Sequence, residues 1–358
     1  MASDPTLLVG TRKGLFTLQS QDDGSWEPVR HDFVGDPVTQ VLTDPRDGTR
    51  YAALNLGHFG RKLHKLVSGA DAWEEISCPA YAEGDEASVR EIWALEAGGA
   101  DQPGRLWAGT IPGGLFKSDD GGQSWELVRA LWEHPGREKW FGGGADDPAI
   151  HSISVHPQRS SELMLGVSCG GAWITRDDGA SWEQCAQGMR AAYLPEEQQF
   201  EPDSQDPHLI VRCASQPHAL WTQHHNGIFK KNGDAPWEEI TTAPVSAFGF
   251  AVAVHPEDPQ RAWFVPAVAD QCRVPVDAKV VVQHTRDGGD SFEVQTNGLP
   301  QSHAYDLVFR HALSIDHSGE RLAFGSTTGG LWVTQNGGDR WEQQSLRLPP
   351  VYVVKWSA

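Results

Sequence analysis

The chain has 358 residues, with 48 acidic against 29 basic side chains and a formal net charge of −19. That balance excludes a reader of nucleic-acid phosphates, which needs a basic face, and offers no attraction to anionic membrane surfaces. Apolar runs all fall short of the roughly 20 residues of a membrane span, and five scattered cysteines without a CxxC read as reduced thiols.

In chain order, Met-Ala-Ser-Asp-Pro at the start carries no basic segment followed by an apolar core, so no signal peptide and a cytoplasmic location are expected. Thr6-Leu-Leu-Val-Gly10 is a short apolar strand, and Ser20-Gln-Asp-Asp-Gly-Ser-Trp26 is an acidic turn closed by tryptophan. Val38-Thr-Gln-Val-Leu-Thr-Asp-Pro45 and Tyr51–Asn55 form strand, turn and strand; the loop 57–61 with His58 follows, then a degenerate turn ending at Trp73. From Leu106 the phrase becomes explicit: Gly-Gly-Leu-Phe-Lys-Ser-Asp-Asp-Gly-Gly-Gln-Ser-Trp-Glu at 113–126, repeated as Gly-Gly-Ala-Trp-Ile-Thr-Arg-Asp-Asp-Gly-Ala-Ser-Trp-Glu at 170–183. Between these copies lie the loop 140–147, with Asp146 and Asp147, and the apolar run 150–157. A long acidic loop spans 190–207, followed by His208, Gln223-His224-His225-Asn226 and a weak turn ending at Trp237. Beyond the apolar run 249–256 come an insertion at 267–279, the copy His-Thr-Arg-Asp-Gly-Gly-Asp-Ser-Phe-Glu at 284–293, and His303-Ala-Tyr305-Asp306, with Arg310 expected on the strand that follows. The last copy, 329–342, reads Gly-Gly-Leu-Trp-Val-Thr-Gln-Asn-Gly-Gly-Asp-Arg-Trp-Glu, and Val351-Tyr-Val-Val-Lys-Trp356 is a lone strand.

The aromatic anchors Trp26, Trp73, Trp125, Trp182, Trp237, Phe292 and Trp341 are spaced by 47, 52, 57, 55, 55 and 49 residues. A period of about fifty residues of short β-rich runs is that of four-stranded propeller blades. The expected fold is all-β: a seven-bladed β-propeller of four-stranded antiparallel blades, closed by the C-terminal strand joining the N-terminal blade. That pairing removes exposed sheet edges. A single domain over 1–358 is expected, with blades near 6–30 plus 350–356, 31–78, 88–129, 149–187, 207–242, 247–296 and 304–346.

In the repeated turn an aspartate accepts hydrogen bonds from turn amides, glycine supplies unusual dihedrals, and the aromatic residue packs between blades. A turn recurring once per blade cannot converge on one site, so Asp120, Trp125, Asp177, Trp182, Asp287, Phe292, Asn336 and Trp341 are read as scaffold. Ser118-x-Asp120-x-Gly122-x-Ser124-Trp125, with its copies at 175–182 and 285–292, resembles the Asp box of the bacterial-neuraminidase-repeat (BNR) propeller family, sialidase-like and glycosyl-hydrolase-like proteins of WD40/YVTN-like architecture. The resemblance covers the whole chain and implies the fold, with boxes far from any active site. It implies function weakly, because the family includes sialidases, xyloglucan hydrolases, the sortilin luminal domain and photosystem II assembly factors. Arg12, in Gly10-Thr-Arg-Lys-Gly14, lacks the Phe/Tyr-Arg-Ile-Pro motif of sialidases, and no arginine triad is assignable, so sialidase activity is not expected. Xyloglucan hydrolases of this type use two propellers, and this chain has one.

Function is then sought where the copies differ. His58, His151, His208, His224, His225 and His303 fall in loops expected on one face, with Asp146, Asp147 and Asp206 beside them, whereas His156 and His255 sit in His-Pro turns and read as structural. Three chemistries remain open. His58, His151, His208 and His225 could hold a divalent metal at the channel mouth. Asp146 or Asp147 with Asp206, assisted by His151, could form an acid/base pair for glycoside hydrolysis. His58, His208, His224, His225, His303, Tyr305, Arg273 and Arg310 could bind a small molecule or carbohydrate, or a protein, without catalysis.

Overall fold

A computed structural model describes residues 5–21, 24–84, 87–143 and 146–357. Asp22 and Asp23 of the first weak turn, Gly144 and Ala145 of the loop before blade four, and the first four residues lie outside the described residues.

The repeat produces seven four-stranded sheets. Short β-branched and aromatic runs alternate with Gly, Asp and Pro turns, so each phrase folds as an antiparallel meander. Blade one joins Val351–Ser357 to Thr6–Thr11, Gly14–Ser20 and Trp26–Asp32. Blade two is Val38–Thr43, Arg50–Asn55, Arg61–Leu66 and Glu74–Ile76; blade three is Glu91–Ala97, Leu106–Ile111, Leu115–Ser118 and Glu126–Leu127. Blade four comprises Ala149–His156, Arg159–Ser168, Gly171–Thr175 and Glu183–Gln184, and blade five Pro207–Arg212, Ala219–His224, Gly227–Asn232 and Glu238–Ile240. Blade six comprises Gly249–Val254, Ala262–Pro266, Val282–Thr285 and Glu293–Gln295, and blade seven Leu313–Ile315, Leu322–Gly325, Leu331–Thr334 and Glu342–Gln343. The fold class is the expected seven-bladed β-propeller. The C-terminal strand pairs antiparallel with the first one, from Thr6 opposite Ser357 to Thr11 opposite Val351.

Contacts gather into two compact units, Met1–Val38 with Val211–Ala358, and Thr39–Ile210. The dividing line runs through Pro207–Arg212, which remains one strand of blade five. In the first unit Leu7, Val9, Trp26, Trp263, Phe324, Trp332, Trp341 and Val354 share one buried cluster. In the second unit one cluster gathers around Leu63, Ile92 and Phe116 and another around Trp107, Leu165, Trp173 and Trp182. Blades three to seven each bury one tryptophan almost completely on the second or third strand: Trp107, Trp173, Trp221, Trp263 and Trp332.

The repeated turn is a local staple. Ser118 Oγ donates to Asp120 Oδ1 at 2.8 Å and accepts from Gly122 N at 2.9 Å. Asp120 in turn takes the Ser124 amide at 2.9 Å and the Ser124 hydroxyl at 2.6 Å. Thr175, Asp177, Gly179 and Ser181 repeat this set, as do Thr285, Asp287, Gly289 and Ser291. Asn336 stands in for aspartate in the last copy. The Ser124 donors hold Asp120 down at about 2, and those of Ser291 do the same for Asp287. Gly122, at φ 88°, needs its hydrogen side chain twice over, since a Cβ would stand 2.7 Å from Ile76 Cδ1. Two anchors bridge blades: Trp125 Nε1 donates to Ser77 O at 3.0 Å, and Trp341 Nε1 to Gln295 Oε1 at 3.3 Å.

Candidate functional site

The long acidic loop before blade five is pinned rather than loose. Its residues form two 3-10 turns, Glu196–Gln198 and Pro202–Ser204. Gln184 Nε2 donates to Pro202 O at 2.7 Å, Lys139 pairs with Asp203 at 2.7 Å, and Gln205 Nε2 reaches Glu201 O at 2.8 Å. These ties deliver Asp206 to the start of the first strand of blade five. There its Oδ1 accepts from Ser168 Oγ and from the Cys169 amide, both at 3.1 Å.

Two residues on, with the period of a strand, stands His208. Its Nε2 lies 3.6 Å from Asp206 Oδ2, and both side chains are buried. His225 is half-buried in the turn after the strand Ala219–His224, with its ring edge-on to Phe248 at 5.8 Å between centroids. Tyr193 hydroxyl donates to Ser204 O at 3.0 Å; the ring is 43% exposed, but its sheltered hydroxyl end and the Asp206 charge push the phenol pKa up.

The other expected residues fall elsewhere. His58 is exposed in a short 3-10 turn against Phe59, with ring centroids 3.9 Å apart. Three histidines expected in loops lie on strands instead: His208, on the first strand of blade five, and two others. His151 lies on the first strand of blade four, buried, with Nδ1 2.7 Å from Ser152 Oγ and its ring edge-on to Trp93. His224 ends the second strand of blade five, fully buried, its ring edge-on to Phe229. Alternation along a strand explains this, since adjacent residues face opposite sides and only one of His224 and His225 can face outward.

Asp146 and Asp147 are drawn to Arg90, Asp146 at 3.7 Å and Asp147 in closer contact; Asp146 is exposed and Asp147 half-buried. The carboxyl that stands buried is Asp206. His303 and Tyr305 are exposed on the loop into blade seven, His303 with φ 52°. Arg310 is in a turn, not on a strand, because blade seven's first strand begins at Leu313. The guanidiniums of Arg273 and Arg310 each stand 5.3 Å from the Phe250 ring centre, and Arg273 also pairs with Asp270 at 2.5 Å. His156 and His255 cap their turns as expected, each Nδ1 accepting two backbone amides.

Sequence reasoning does not reach Glu91. It opens the first strand of blade three, accepts from Asn55 Nδ2 at 2.9 Å, and burial pushes its carboxyl pKa up. A glutamate heading the apolar run Glu91-Ile-Trp-Ala-Leu95 was the available signal.

The geometry defines a seven-bladed propeller with a buried carboxylate–imidazole pair at the start of one blade, and the comparisons fit the propeller fold. No family model matches the chain. An oligoxyloglucan reducing-end-specific xyloglucanase of Emericella nidulans is 24% identical over 265 residues, 66% of this chain and 30% of that protein. Among solved structures, the GH74 xyloglucanase of Xanthomonas campestris superposes with a TM-score of 0.65 at 17% identity, over 99% of this chain and 52% of that one. The periplasmic gluconolactonase of Pseudomonas aeruginosa gives 0.61 at 12% identity, over 99% of both chains. YCF48 bound to D1 peptide gives 0.55 at 14% identity, over 92% of this chain and 87% of the other. The chain therefore spans about half or less of the two xyloglucanases, and the structural likenesses speak to fold.

Proposed function

We propose that this chain is a carbohydrate-related, hydrolase-like propeller that takes a saccharide at the Asp206–His208 group. The observation that carries the reading is the buried Asp206–His208 pair itself. A carboxylate buried beside an imidazole costs free energy and is retained chiefly where it does work. Its two carboxylate oxygens are differentiated, Oδ1 held by Ser168 and Cys169 and Oδ2 turned to His208. Such a pair can accept a hydroxyl proton and pass it to the ring. The xyloglucanase relative supports the substrate class.

The test is a screen of xyloglucan oligosaccharides and aryl glycosides, for binding and for turnover, on wild type and Asp206→Asn. Binding weakened by at least tenfold in the variant supports the reading; equal binding, or none in either protein, contradicts it.

A second reading, binding of a protein segment, is favoured by the exposed apolar side chains Val268 and Tyr305. In the same screen it predicts no saccharide binding at all.

A further inference from the structure

We propose that the crevice where blade seven meets blade one binds a small carboxylate, held by the Trp26 indole N–H, the Asn336 carboxamide and the Arg340 guanidinium. The crevice measures about 80 Å³, and its lining includes Trp26, Thr334, Gln335, Asn336, Arg340 and Glu342. That is room for a group larger than one water molecule.

The last copy of the repeated turn is the one that breaks the pattern. In the pairs Asp120 and Ser124, Asp177 and Ser181, and Asp287 and Ser291, a carboxylate accepts from the hydroxyl four residues on. Asn336 and Arg340 occupy these two positions in the last copy. Asn336 Oδ1 still accepts from the Arg340 amide at 3.1 Å and from the Thr334 hydroxyl at 2.7 Å, so the turn keeps its hydrogen bonds. Its other terminal atom, however, is now an N–H donor instead of a carboxylate oxygen, and a guanidinium replaces the hydroxyl. A pair that carries a negative charge in three copies carries a positive one in the fourth, with donors suited to a carboxylate.

The anchors differ in the same place. Trp125, Trp182 and Trp341 each donate Nε1–H to an oxygen, the last to Gln295 Oε1. Gln295 stands three positions after Phe292, and the corresponding residue of blade seven is Gln344, three after Trp341. Gln344 Oε1 accepts from the Trp26 backbone amide instead, at 3.0 Å. Trp26 is 2% exposed, and its Nε1 is buried with no hydrogen-bond partner among the described residues. A buried donor of this kind calls for a partner, and a carboxylate in the crevice supplies one. Glu342 opposes an anion, but its Oε1 stands 3.7 Å from Arg340 Nε and both side chains are well exposed. Such an ion pair is weak and gives way to a better-placed carboxylate. None of these residues belongs to the Asp206–His208 pair, and neither reading of function is assumed.

The experiment follows the indole N–H resonances of the full-length chain carrying isotope-labelled tryptophan, with Trp26 assigned through Trp26→Phe. Acetate is titrated at constant ionic strength, with glycerol as the uncharged probe. A saturable shift of the Trp26 resonance by acetate, and none by glycerol, is expected. Restoring the pattern with Asn336→Asp and Arg340→Ser together weakens acetate binding by ~10-fold or more. Three copies of the turn already fold with these residues. Should the double variant fail to fold, Arg340→Gln, at an exposed position, supplies the same test. No saturable shift in wild type, an equal response to glycerol, or unchanged acetate binding in the folded variant overturns the proposal.

Discussion

At the scale of single residues, the histidines divide by what their rings touch. His284 lies across from Trp263 in blade six and stacks on it, with centroids 4.2 Å apart and planes 8° from parallel. Burial there pushes its pKa down to about 3. The unfolded chain therefore takes up this proton first, near 6.5. Stability from this residue is complete above that pH and declines as pH falls toward 3, by up to about 1.4 kcal/mol per pH unit. In His284→Phe, which retains the stacked ring, thermal midpoints fall less between pH 6.5 and 4 than in wild type; parallel curves would show that the buried imidazole does not govern this loss. Asp206 differs in that one carboxylate oxygen is held by Ser168 and Cys169 while the other faces His208 Nε2 at 3.6 Å.

At the scale of elements, the repeated turn and the blade it closes were legible in advance, because the turn's hydrogen bonds run between residues two and four apart. Local chemistry of that kind is written in local sequence. The site was only half legible. Asp206 directly precedes the strand that carries His208, two residues on, and the two could be paired by sequence spacing alone. The donors to Asp206 come from 37 and 38 residues upstream, and nothing in the spacing announces them. The choice between His224 and His225 depends on where the second strand of blade five ends, a boundary that sequence patterns place only loosely. The turns also differ in load. Trp341, buried against Phe324 and bonded to Gln295 of the preceding blade, is expected to cost ~3–5 kcal/mol when cut to alanine. Denaturant unfolding measures this; a loss below about 1 kcal/mol would show that the anchor does not bind blade seven to blade six.

For the whole molecule, the pairing of Val351–Ser357 with Thr6–Thr11 joins the two termini in one sheet. Val351, Val353 and Val354 are fully buried there, and Gly10 lies so close to Val353 that a Cβ would meet its side chain at 2.4 Å. Truncation after Pro350 removes this strand and bares the edge of blade one, which invites edge-to-edge pairing. The truncated chain is expected to aggregate or lose its cooperative unfolding transition, as seen by size-exclusion chromatography and thermal melts. A monomer melting within a few degrees of wild type would contradict that role.

On the function proposed above, the repeated turns build the propeller and the Asp206–His208 pair takes the saccharide. Calorimetric titration of a xyloglucan oligosaccharide into wild type, Asp206→Asn and Asp177→Ala tests it directly. Binding by wild type and Asp177→Ala, with at least a tenfold loss in Asp206→Asn, is the predicted result. A folded Asp177→Ala that loses binding while Asp206→Asn retains it would contradict the account.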